Sequence, residues 1–85
     1  YVYRSLKIFS MKQLSNSKRG EKLKVLKLNA DSGLKQRLIS FGIMKEAIIE
    51  VLEYSPNKST LEIKVGKMRI ALRAKEADMI EVEEI

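Results

Sequence analysis

From Thr60 to Arg73 a large apolar residue stands at every second position, strand-fashion, broken only at Gly66-Lys67. Leu61, Ile63 and Val65 alternate with Thr60, Glu62 and Lys64. Met68, Ile70 and Leu72 then alternate with Arg69, Ala71 and Arg73. A period of two puts every second side chain on one sheet face, and a glycine-bearing turn between two such runs reads as a β-hairpin. In a chain of 85 residues, this hairpin must sit in a small sheet that supplies most of the core.

The rest of the chain repeats the pattern in short pieces. Lys22 to Asn29 alternates as a half-buried strand with one irregularity, Leu26, where a bulge fits. Asn29 to Gly33 is a turn cluster in which Asp31 or Ser32 can cap a helix. Leu34, Leu38 and Phe41 then follow at i, i+4 and i+7, and Gly42 suits a left-handed position that ends the helix. Ala47 to Tyr54 is a strand with apolar residues on both faces, followed by the turn Ser55-Pro56-Asn57-Lys58. Ala74 to Asp78 reads as a helical turn, and Ile80, Val82 and Ile85 lie on a last strand. Several short strands with tight connections predict a mainly β fold: an SH3-like five-stranded barrel with one short inserted helix and a short helical turn. Full closure would remove the exposed strand edges. Leu38, Phe41, Val51, Ile63, Ile70, Leu72 and Val82 are the expected core. The barrel is placed at 11–85, and residues 1–10 are read as an N-terminal extension, because Met11 has the look of a natural start.

The composition narrows the chemistry. There is no histidine and no cysteine. The usual general base, the commonest transition-metal ligands and the thiol nucleophile are therefore missing. Glycine spacing fits neither a P-loop nor a dinucleotide fingerprint. The expectation is a protein that is not an enzyme and holds no cofactor and no metal. Glu81, Glu83 and Glu84 are the densest carboxylates and read as a solvated edge. No apolar run approaches the ~20 residues a membrane-spanning helix needs.

Charge is unevenly spread. Residues 1–45 hold eleven Lys/Arg against Glu21 and Asp31, a balance of +9, whereas 46–85 hold six against nine Asp/Glu, a balance of −3. The basic half raises an alternative function, a small barrel binding a polyanion such as RNA or DNA. Against it, the aromatic residues Tyr1, Tyr3, Phe9, Phe41 and Tyr54 are not interleaved with the basic residues of the barrel as a base-stacking platform requires.

From Leu14 onward the chain resembles the FeoA family and the related C-terminal domains of DtxR-type regulators. Arg37-Leu38 with Phe41-Gly42-Ile43 resembles the family's helix-ending signature, and Ile49-Glu50-Val51 its second strand. Ile70-Ala71-Leu72-Arg73, Glu76-Ala77 and Ile80-Glu81-Val82 resemble its closing segments. One departure stands out: the family's usual Pro-Gly after this signature is Lys45-Glu46 here, which leaves the turn type open. The resemblance implies a cytoplasmic adaptor of bacterial ferrous-iron uptake that binds and modulates the FeoB membrane transporter. On that reading Leu52 and Tyr54, on the second apolar face of their strand, are candidate partner contacts, with Lys35 and Arg37 as a charged rim. Arg37 also has a structural reading, its stem laid over the barrel and its head paired with an acid.

Overall fold

The computed structural model describes residues 11–85; the expected extension at 1–10 lies outside them. Six strands form one antiparallel sheet: β1 Lys12–Gln13, β2 Lys22–Leu28, β3 Ile48–Tyr54, β4 Thr60–Val65, β5 Met68–Arg73 and β6 Ile80–Glu84. Helix α1 spans Ser32–Ser40, a short helix α2 spans Ala74–Ala77, and a 3-10 turn covers Leu14–Asn16. Spatial order is β1-β6-β2-β3-β4-β5. The mainly β, SH3-like architecture is as expected, with two corrections. A sixth strand, β1, pairs with β6; two residues are too short to carry a period. The sheet curls without a β5–β1 ladder among the described residues, so hydrogen-bonded closure is not reached. The β5 edge is instead marked by exposed Arg69 and Arg73, charges that discourage edge-to-edge pairing.

Two bulges bend the sheet. The β2–β6 register slips between Val25 and Lys27, and the β3–β4 register between Val51 and Glu53, leaving Leu26 and Leu52 as the extra residues. Each bulge resets the alternation. Leu28 then falls opposite Ile80, and Tyr54 opposite Leu61, both of those partners being core residues.

Asp31 starts α1, its Oδ1 accepting from the Leu34 N–H at 2.9 Å. The helix ends in a Schellman motif: Ile43 N–H donates to Leu38 O and Gly42 N–H to Ile39 O, both at 2.9 Å. Gly42 has φ +90, the left-handed position expected of it. The reversal sends Ile43, fully buried, into the core. Phe41 was expected there and is instead half-buried at the rim, because it caps the helix just before the chain turns back. The other expected core residues are buried, joined by Leu14, Leu23, Val25, Ile49 and Ile80.

The turn left open by Lys45-Glu46 keeps the geometry that Pro-Gly would favour. Ala47 N–H donates to Met44 O at 2.9 Å, and Glu46, at the third position, has φ +73. A positive φ at that position is the type II signature, normally glycine's. Glu46 N–H and Val25 N–H tie the turn to β2, at 2.7 Å to Val25 O and 2.9 Å to Ala47 O.

Folding also brings the two charge halves together. Basic β2 lies between β3 and acidic β6, so Lys22 faces Glu50, Lys24 faces Glu83 and Lys27 faces Glu81. Directly opposed residues share a sheet face, where opposite charges attract. Lys12 on β1 bonds Glu21 at 3.0 Å and Glu84 at 3.1 Å.

Candidate docking site

Beside the β2 bulge, α1 and the 44–47 turn enclose an open groove of about 570 Å³. Leu26 and Leu28 come from β2, Ile39 from α1 and Met44 from the turn; Lys27, Lys35 and Lys45 stand around them. The helix period aligns Lys35 with Ile39 on one face, four residues apart. The bulge sets Leu26 off the core-facing register, and the Schellman reversal carries the chain to Met44. Ile39 is 40% and Met44 44% exposed. A contiguous apolar strip on a small domain, rimmed by charge, is the usual form of a protein contact surface. Lys27 is opposed by Glu81 across the sheet. None of the three lysines forms an ion pair among the described residues, so together they make the rim positive.

The four residues singled out in the sequence fall in separate places. Lys35 is in this groove. Arg37 bonds Glu76 of α2 at 3.1 Å and lies 5.8 Å from the Phe41 ring centroid, as the structural reading of that arginine has it. Leu52 is the half-exposed bulge residue. Tyr54 is half-buried against the core, and its hydroxyl donates to Ser15 O at 3.3 Å and to Ser17 O. Burial raises the Tyr54 phenol above its ordinary pKa, helped by the negative charge of Glu21 and opposed by Lys12. Leu52 and Tyr54 look like one face only if β3 is read as unbroken; the bulge separates them. Nothing in the sequence marks Ile39 and Met44 as a contact surface, because the groove forms only when β2, α1 and the 44–47 turn meet.

Among the described residues no three Asp/Glu side chains converge as a metal site. Glu84 is engaged by Lys12 and Glu81 by Asn29. No helix among them is long and apolar enough to cross a membrane.

Comparison with known proteins relates the sequence and the fold to one family. The FeoA domain model matches residues 12–84. A Helicobacter pylori protein assigned as Fe(2+) transport protein A is 39% identical over 56 residues, covering 66% of this chain and 74% of its own. A Campylobacter jejuni protein of the same assignment is 35% identical over 69 residues, covering 81% and 93%. Among solved structures, the FeoA protein of Chlorobium tepidum superposes with a TM-score of 0.82 at 27% identity, over 86% of this chain and 70% of that one. A manganese-dependent transcriptional repressor shares the fold alone, with a TM-score of 0.81 at 20% identity over 88% of this chain and 42% of that one. With the family model spanning the barrel from β1 to β6 and two relatives above a third identical, the chain belongs to the FeoA family.

Proposed function

We propose that this chain is a non-catalytic accessory protein of ferrous-iron uptake. It acts by docking its β2–α1 groove on the cytoplasmic domain of a FeoB-type transporter. Membership of a family whose relatives are assigned as Fe(2+) transport protein A supports the iron-uptake role. The observation behind the docking role is the groove itself: Ile39 and Met44 exposed side by side, with Lys35 and Lys45 unpaired around them. A strip of that kind fits an amphipathic partner segment with acidic flanks, its apolar side chains against Ile39 and Met44. The polyanion alternative is weakened by the cross-strand pairing, since the basic strand β2 lies against the acidic strand β6 rather than forming an open stripe.

The test is binding of the isolated cytoplasmic domain of the cognate transporter, followed by calorimetry. Ile39→Asp with Met44→Ser should leave the circular dichroism spectrum unchanged and weaken binding at least about thirtyfold, as loss of an interface hot spot does. Lys35→Glu with Lys45→Glu should slow association and reduce its salt dependence. Unaltered affinity in both folded variants would move the contact to another face. Steep salt-dependent binding to nucleic acid instead would favour the polyanion reading.

A further inference from the structure

On another face of the barrel, a cavity of about 470 Å³ lies between the Ser15–Arg19 segment, the β3–β4 turn and α2. It shares no lining residue with the docking groove. Lys18, Arg19 and Lys58 line it, and no Asp or Glu does. None of these three cations forms an ion pair among the described residues. The nearby acids are already engaged: Glu21 by Lys12 and the Lys18 N–H, Asp78 by the Ser15 hydroxyl. Positive charge in this cavity is therefore uncompensated by any side chain that lines it.

Two further features mark the place as built. Ser17, in the cavity wall, is 5% exposed, and its Oγ is the one buried side-chain polar atom among the described residues with no hydrogen-bond partner. Buried polar groups are nearly always paired, so an orphan invites a ligand or water. The Tyr54 hydroxyl also holds the carbonyls of Ser15 and Ser17, fixing the segment that carries Lys18 and Arg19. The cavity volume falls within the roughly 300–1,000 Å³ of small-molecule sites, far more than a bare anion fills. Tyr54, Leu61 and the two alanines of α2 give it an apolar wall.

We propose that this cavity binds a small phosphate monoester, the phosphoryl oxygens between Lys18, Arg19 and Lys58 and the organic body against the Tyr54–Leu61 wall. Three cations from two chain segments suit a dianion with three equivalent oxygens better than a carboxylate, with its single charge and two oxygens. The site is independent of the docking groove, and neither reading rests on the other.

The test is a ¹H–¹⁵N NMR titration of the full chain at constant ionic strength, with phenyl phosphate as probe and inorganic phosphate and benzoate as comparisons. Phenyl phosphate should give saturable shifts at Ser17–Arg19, Tyr54 and Lys58, and bind about tenfold more tightly than either comparison. Arg19→Gln with Lys58→Asn should weaken it by about ten- to a hundredfold, the range for lost charged hydrogen bonds. Asparagine is chosen because Lys58 has φ +58 and asparagine tolerates that backbone. Lys35→Gln with Lys45→Gln removes the same net charge from the docking groove and should leave the titration unchanged. Benzoate binding as tightly as phenyl phosphate would overturn the proposal. So would shifts spread over every lysine, or equal losses in the two charge-matched variants.

Discussion

Glu76 binds Arg37 and caps its own helix at the same time: Oε2 accepts from the Arg37 guanidinium at 3.1 Å while Oε1 accepts from the Arg73 N–H at 3.0 Å. One carboxylate thus ties α1 to the start of α2, and it is 12% exposed where the arginine is 56%. Removing the two partners should have unequal effects. Arg37→Ala removes an ion pair whose cation is largely exposed and should cost under about 1 kcal/mol. Glu76→Ala also loses a helix cap and should cost about 1–2 kcal/mol. Urea denaturation of the two variants checks the order; equal losses would mean that the cap contributes nothing.

The 44–47 turn stores strain that one substitution should release. Glu46 holds φ +73, a region in which a non-glycine residue typically costs on the order of 1–2 kcal/mol. Glycine removes that cost but loosens the unfolded chain by about 0.4–1 kcal/mol. Glu46→Gly should therefore raise the melting temperature by a few degrees, the equivalent of roughly 0.5–1 kcal/mol. The opposite change at Gly42 should be severe. Gly42→Val puts a β-branched residue at φ +90 with its Cβ 3.4 Å from Val65 Cγ1, and thermal denaturation should show a marked loss.

Acid should destabilise the protein through Glu21. The Lys18 N–H is the largest influence on its carboxyl; burial opposes it, Glu84 and Lys12 reinforce it, and the pKa falls from 4.5 to about 2. Burial pulls Lys12 downward, but its bonds to Glu21 and Glu84 outweigh this and hold it above its ordinary value. A carboxyl lowered on folding stabilises above its unfolded pKa and loses that contribution as pH falls through the folded one. The stability of the native protein should therefore decline between about pH 4.5 and 2 through this group. Glu21→Gln should be less stable at neutral pH and show a shallower decline over that window. A parallel pH profile in the two proteins would remove Glu21 from the account.

Tyr54 and Leu52 should separate under mutation. Tyr54→Phe keeps the ring but loses the hydroxyl that holds Ser15 and Ser17, and should cost on the order of 1 kcal/mol by chemical denaturation. Leu52→Ser removes a half-exposed side chain at the bulge and should change stability by less. If the tyrosine variant were neutral and the leucine variant destabilised, the bulge would be misplaced.

Most of the fold is legible in the sequence, because strand alternation, Asp31, Gly42 and the Gly66-Lys67 turn are local devices. Each specifies its own backbone within a few residues, and five strands and both helices follow from them. The family resemblance is distributed along these same local signals. Position in three dimensions is another matter. Whether Phe41 or Ile43 enters the core depends on where the Schellman reversal points the chain. The bulge at Leu26 is foreshadowed by the break in its strand's alternation, but the one at Leu52 shows only in the β3–β4 register, and it decides that Tyr54 returns to the core face. Part of the charge imbalance between the halves of the chain is offset where β2 lies against β6. Conversely, Lys18 and Arg19 stand some forty residues from Lys58 in the chain, and the three line one cavity only through the packing of the Ser15–Arg19 segment against the β3–β4 turn. Local backbone preference is written residue by residue; which faces meet is decided by long-range packing, and the docking groove and the basic cavity are both products of that packing.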